Sequence, residues 1–322
     1  INEVVKALAG YDSFLITTHV TPEPDALGSE LAVYELLRAL GKKAVILNHD
    51  PVPAHYMFLA GSDIIKKRLT RKDAYDAIIV LDCPNPERAG SVGGLFRDAG
   101  CVINIDHHVS NKGFGDVQWV MPDASSTGEM IYLLFKKCGV GISKKVALYI
   151  YIAILTDTGS FNYSNTSSVT HEIVSELLGY GISPDEISSS VYENKRYEDV
   201  KLLARVLSTL TVACGGRVAY ITCTRAMIRS TGSAAEATEN FVNFARSVQG
   251  TMMSFFIRED SRKRNRYRVS LRSKGDVSVN RIASVFGGGG HKHAAGCTIN
   301  GTIGDVKRRI LKEARNEIGN LK

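Results

Sequence analysis

Val102-Ile-Asn-Ile105-Asp106-His107-His108 is an apolar, β-branched run that stops in one carboxylate and two imidazoles. Ala77-Ile-Ile-Val-Leu81 ends the same way at Asp82, and Phe14-Leu-Ile-Thr-Thr18 at His19, while Ala44-Val-Ile-Leu47 is a fourth run of this kind. Short apolar runs rich in Val and Ile read as strands buried on both faces. The segments between them are amphipathic, as in Ser29 to Leu40, closed by Gly41. Strands alternating with helices specify an α/β, mainly parallel, doubly wound sheet, whose ligand sites lie beyond the carboxyl ends of the strands. His19, Asp82 and Asp106 to His108 all fall at such ends, so one crevice is expected to collect them.

From Ser125 to about Leu210 the pattern reads as helical throughout, with stops at Gly139 to Gly141 and at Gly181. A restart follows at Ser183-Pro184-Asp185-Glu186, a capping pattern with proline in the first turn. After Gly215-Gly216 strands return (Val218 to Cys223, Met252 to Ile257, Tyr267 to Leu271), with a helix near Ala234 to Val248, then a glycine run and a basic terminal helix. This predicts a doubly wound domain over 1–184, a helical connector over 185–214, and a smaller α+β domain over 215–322.

With 44% hydrophobic and 23% charged residues the 322-residue chain has ample core material for two domains. The longest apolar run, Val146 to Leu155, is about half the ~20 residues that cross a bilayer, and no leader opens the chain. Six dispersed cysteines without a CxxC pair fit buried thiols in a reducing compartment. The expectation is a cytoplasmic protein. A formal charge of +7 biases it toward anionic partners without selecting one.

His19-Val-Thr-Pro-Glu23-Pro-Asp25 offers three ligands directly after the first strand, and Asp82, Asp106, His107, His108 and Asp157 add more. Carboxylates mixed with imidazoles suit divalent manganese or magnesium, and the lack of clustered thiols excludes a structural zinc knuckle. So many ligands point to a pair of ions, which can activate water, align it with phosphorus and stabilise the leaving oxygen. Each residue also has a plainer reading: His19 as a satisfied buried histidine, Asp157 as a helix or turn cap, Asp106 as a buried hydrogen-bonding anchor.

In the last third, Arg264, Arg266, Arg268, Ser270 and Arg272 share one parity of a strand, and Tyr267, Val269 and Leu271 the other. One face is then a basic strip and the other is core. Arg264 and Arg266 read as solvated hairpin. Four glycines, Gly287 to Gly290, before His291 form a loop whose N–H groups can converge on an anion. Trp119 reads as packing.

Taken in order, these motifs resemble the DHH phosphoesterase family, in the branch with a DHH-associated C-terminal domain. The likeness is to bifunctional nanoRNases that also dephosphorylate 3′-phosphoadenosine 5′-phosphate (pAp). The residues that carry it are His19 to Ser29, Asp82, Asp106-His107-His108, Asp157 in Leu155 to Phe161, and Gly287 to His291 with Ala294-Ala295-Gly296. The resemblance implies that His19, Glu23 and Asp82 hold one ion and Asp25, Asp82, His107 and Asp157 the other, with Asp82 bridging. Asp106 would orient an imidazole and His108 approach the phosphate. Arg272, Ser273, Gly288, Gly289, Gly290 and His291 would bind the substrate. The chain departs from the family at Glu23 and Pro24, where aspartate and glycine are usual, and at His293, where asparagine is common.

The implied activity is hydrolysis of nanoRNA to mononucleotides, or of pAp to AMP, by in-line attack of hydroxide at two divalent ions, manganese first and magnesium as the alternative. Expected partners are short RNA or small nucleotides, with no long duplex, no membrane, and a second copy as homodimer. The rivals are cleavage of cyclic or linear dinucleotides and, from another class, a non-catalytic nucleotide- or RNA-binding module.

Overall fold

The computed structural model describes residues 1–68, 75–238 and 240–319, and divides the chain into two compact units, Ile1–Asn194 and Lys195–Lys322. The first unit holds strands β1 (Ser13–Thr17), β2 (Lys43–Leu47), β3 (Ile65–Lys66), β4 (Ala77–Leu81), β5 (Cys101–Asp106) and β6 (Val117–Val120). Its helices are α1 (Asn2–Gly10), α2 (Pro24–Ala39), α3 (Thr127–Cys138), α4 (Lys144–Asp157), α5 (Ser168–Leu178) and α6 (Pro184–Tyr192). The sheet runs β3-β2-β1-β4-β5-β6 with every pairing parallel, the doubly wound order. Its direction of winding reverses between β1 and β4, which places the crevice where the chain continues into His19 and Asp82.

Both faces of the sheet's centre are buried, which is why β1, β4 and β5 are mostly apolar. Phe14 and Ile16 join a core with α2, α3 and α4, while Leu15, Val45, Val80 and Val102 pack on the opposite side under the 3-10 segment Pro86–Asp98. Helix α4 is buried almost all round. It crosses α2 at Gly28, where an added Cβ would stand 2.5 Å from the Tyr149 carbonyl oxygen, so only glycine permits this approach. That crossing sets Asp25, near the start of α2, close to Asp157, the last residue of α4.

The second unit contains α7 (Tyr197–Leu207), β7 (Thr211–Ala213), β8 (Val218–Cys223), α8 (Arg225–Thr231), α9 (Phe241–Arg246), β9 (Met253–Glu259), β10 (Arg266–Ser273), α10 (Val279–Val285), β11 (Gly289–Gly290), β12 (Ala294–Asn300) and α11 (Ile303–Gly319). Its sheet, β11-β12-β10-β9-β8-β7, is antiparallel except for β8 beside β9. Tyr267, Val269 and Leu271 of β10 enter the core with α10 and α11, while Arg268 is exposed on the other face, as the alternation requires.

Several local readings differ from expectation. The stretch read as connector is shared, since Ile187 of α6 packs in the first unit's core and Leu202 and Val206 of α7 in the second's. Residues 158–167 break the expected run of helix. Ser183 precedes α6 but gives its hydroxyl to Asp185 and forms no side-chain cap; a capping box is built at Ser167 and Thr170 of α5 instead. Helix α8 and strand β12 come in addition to the predicted elements. Trp119 is buried, as predicted. Among the described residues no helix is long and apolar enough to cross a membrane.

A candidate metal centre at the sheet's switch point

Asp82 leaves β4 in the left-handed region, with φ of 53°, a conformation disfavoured for residues with a side chain and often kept for function. Its carboxylate, 4% exposed, lies between two imidazoles: Oδ2 is 3.4 Å from His19 Nε2 and Oδ1 is 3.6 Å from His107 Nε2. Each ring is held by its far nitrogen. His19 Nδ1–H donates to the Val20 carbonyl at 2.8 Å, and His107 Nδ1–H to the Ala124 carbonyl at 3.1 Å. Both therefore turn Nε2 toward the carboxylates, the nitrogen that would bind metal once its proton is displaced.

His107 Nε2 has three carboxylates around it: Asp157 at 3.5 Å, Asp82 at 3.6 Å and Asp25 at 3.7 Å. Ligand atoms on one ion with bonds of about 2.1 Å stand roughly 3.0 to 3.4 Å apart, so a small contraction would close this set on a divalent cation. Asp25 is fixed for that purpose. Its carboxylate accepts the Thr127 and Gly128 N–H groups, both at 2.9 Å, at the positive end of α3, and the Ser29 hydroxyl at 3.3 Å. Asp157 breaks the same rule, since it sits at the carboxyl end of α4, where a negative charge is unfavourable without a cation.

The electrostatics agree. Burial, reinforced by the charges of Asp82 and Asp157, holds the Asp25 carboxyl well above the usual carboxylate range. Burial opposes charge on Asp82 too, but the hydrogen bond from His19 and the three neighbouring histidines overcome it and push its carboxyl down. Burial likewise opposes charge on His107, yet Asp157, Asp25 and Asp82 outweigh it and raise the imidazole to about 9. Protons here answer an excess of negative potential, and a divalent ion bound by these donors would displace them.

Asp106, fully buried, accepts His108 Nδ1–H at 2.7 Å and the Asn111 amide at 2.6 Å. This interaction raises the His108 imidazole, against its burial. Among the described residues of the first unit, the groups whose ligand atoms all lie within 4.8 Å of one another are Asp25, Asp82 and His107, and Asp82, Asp106 and His108. His19, Glu23 and Asp157 are in neither group; Glu23 stands exposed before Pro24 at the start of α2. Residues without a motif also contribute. Asn165 ties the Ser125 carbonyl, at 2.8 Å, to the Asp157 carboxylate, at 3.4 Å, and Thr127 Oγ1 donates to Asp82 at 3.2 Å.

In the second unit Ser273 is buried and its hydroxyl donates to the Val277 carbonyl at 2.7 Å, so the His293 Nδ1–H at 3.0 Å donates to Ser273 Oγ. Arg272 gives Nη1–H to the Leu271 carbonyl at 3.0 Å, and its buried Nε has no protein acceptor. The glycine run differs from the expected open cradle. Gly289 and Gly290 form β11 against β12, and the N–H groups of Gly287, Gly288 and His291 donate to Ser284, Ala283 and Ala294 carbonyls. Packing explains Gly288, where an added Cβ would lie 2.1 Å from the Gly296 carbonyl oxygen.

Comparison with known proteins agrees with this architecture. The N-terminal domain of the DHH family matches residues 13–154, and the DHHA1 domain residues 215–320. The chain is 34% identical over 318 residues to the bifunctional oligoribonuclease and PAP phosphatase NrnA of Thermus thermophilus, covering 98% of this chain and 93% of that one. It is 30% identical over 302 residues to the protein of the same name from Bacillus subtilis, covering 92% of each. A crystal structure of an exopolyphosphatase-related protein from Bacteroides fragilis aligns with a TM-score of 0.87 at 30% identity, over 97% of this chain and 95% of that one. Fold, donor set and relatives together define a hydrolase of phosphoric esters. The chain belongs to the DHH family and carries a DHHA1 domain.

Proposed function

We propose that the protein hydrolyses short oligoribonucleotides to mononucleotides and pAp to AMP, using two divalent ions, manganese in preference to magnesium. The observation that carries this reading is the ring of Asp25, Asp82 and Asp157 around His107 Nε2. His19, Glu23, Asp25, Asp82, His107 and Asp157 are the residues that would hold the ions, with Asp82 placed between His19 and His107. Bound ions would supply an activated water and charge stabilisation at phosphorus. The chain's own part is to hold the donors, to exclude bulk water from buried carboxylates, and to orient His108. Asp106 fixes that ring through its Nδ1–H, and the proposed role of His108 is to approach the substrate phosphate.

Arg272, Ser273, Gly288, Gly289, Gly290 and His291 are the proposed substrate-binding residues of the DHHA1 domain, recognising phosphate and base of a short chain end. The names of the Thermus and Bacillus relatives favour this reading over cleavage of cyclic or linear dinucleotides, and the buried donor set favours an enzyme over a binding module. The test is a side-by-side assay of a trinucleotide RNA, pAp, a linear dinucleotide and a cyclic dinucleotide, in manganese and in magnesium. Release of mononucleotides from the trinucleotide and of AMP from pAp, faster in manganese, is expected. Exclusive hydrolysis of the cyclic compound, or binding without turnover, would replace this reading with one of its rivals.

A further inference from the structure

The loop after β4 carries an arginine that no motif reading singled out. Asn85 caps the 3-10 turn beginning at Pro86 by accepting the Arg88 N–H at 3.1 Å, and the Arg88 carbonyl accepts the Val20 N–H at 2.7 Å. The backbone of Arg88 is thus tied to the segments following both β1 and β4, the two strands that flank the crevice. Its half-buried side chain reaches His19, with Nη2 3.2 Å from Nδ1. That nitrogen already gives its proton to the Val20 carbonyl at 2.8 Å. The contact engages at most one of the guanidinium's five N–H donors.

Among the described residues Arg88 forms no ion pair, although four aspartates line the neighbouring centre. A guanidinium has five N–H donors in a rigid fork matched to two oxygens of a phosphate. Four carboxylates repel the anionic substrate that the centre must accept. A fixed cation at the rim offsets that repulsion, and its fork gives direction as well as charge.

We propose that Arg88 is a substrate-binding residue whose guanidinium clamps the phosphate undergoing cleavage. This rests on the phosphoesterase reading above, and the experiment separates the two. Wild-type protein, Arg88→Met and Arg88→Lys are loaded with manganese, and inorganic phosphate is titrated into each by calorimetry. Manganese affinity and steady-state kinetics are measured alongside.

For Arg88→Met, phosphate affinity should fall about ten- to a hundredfold, the usual loss for a charged hydrogen bond, with kcat/KM falling in step. Manganese affinity should stay within about twofold in both variants, and Arg88→Lys, which keeps charge but not fork, should lie between. Unchanged phosphate affinity in Arg88→Met overturns the proposal, as does absence of phosphate binding by the wild type. A fall in manganese affinity as large as the fall in phosphate affinity also overturns it, since Arg88 would then act by positioning His19. If Arg88→Met does not fold, Arg88→Lys decides: weakening of phosphate binding by about threefold or more supports the clamp and unchanged binding refutes it. Should the wild type hydrolyse none of the four test substrates, the functional reading fails while the phosphate titration still judges Arg88.

Discussion

The two units assemble their polar residues in opposite ways. In the first, Asp25, Asp82, Asp106 and His107 are at most 4% exposed, and each is held by backbone amides, carbonyls or other side chains. In the second, Arg268 is exposed and Arg272 half-buried on one face of β10. Buried like charges are tolerated only where an ion or proton compensates them, so the first arrangement has a cation built into its logic. The second is an ordinary surface made basic. Damage to the first should remove chemistry, and damage to the second should weaken binding.

The strongest test is Asp82→Ala. A bridging carboxylate between two imidazoles has no substitute nearby, so kcat should fall by more than about a thousandfold in manganese. The metal-free variant should still fold but melt lower than wild type, because the ionised carboxylate is held by three histidines and alanine tolerates a φ of 53° poorly. Retained manganese-dependent turnover would break the contrast at its root.

A smaller effect comes from Glu30, also in the first unit but outside the donor set. It is fully buried on α2, accepts the Asn48 amide at 2.9 Å, and burial, aided by the charge of Asp82, pushes its carboxyl up to about 8. Because the folded value lies above the ordinary one of 4.5, its contribution to stability is complete below pH 4.5 and is lost as pH rises through about 8. Glu30→Gln keeps an acceptor for Asn48 and cannot ionise. In metal-free protein the variant should therefore gain on wild type as pH rises, by on the order of 2 kcal/mol or more at pH 9, read from urea denaturation at several pH values. Parallel pH curves would show that Glu30 is not held neutral by the fold.

How much of this was legible follows from where each group sits in the chain. Asp82, His19 and the Asp106 to His108 run end apolar strands, so local pattern alone carried them to the crevice. Asp25 and Asp157 lie on helices, and only the order of the motifs linked them to the same centre. Arg88, Asn111 and Asn165 come from irregular segments, and the Thr127 and Gly128 N–H groups and the Ala124 carbonyl are backbone atoms; neither class leaves a periodic signal. In the second unit β12 did alternate, with Ala295, Cys297 and Ile299 facing the core, but its alanines and glycine carry little strand propensity. The glycine run is less open than its composition implies, because sequence shows flexibility and not which N–H groups bond within the chain.

The mildest test returns to that second surface. Arg272 shares a strand face with Arg268, and its side chain gives one hydrogen bond to the Leu271 carbonyl while Nε remains buried without an acceptor. Truncation to alanine removes that unsatisfied donor and leaves only a carbonyl to recruit water, so the melting temperature should barely move. If the guanidinium binds the substrate equally in ground and transition states, Arg272→Ala raises KM by about tenfold and leaves kcat within about threefold. Arg272→Lys should recover part of the loss, because charge survives without the fork. A fall in kcat matching that of Asp82→Ala would mean that this arginine acts on the reacting phosphate itself, and the division of labour between buried chemistry and exposed binding would have to be redrawn.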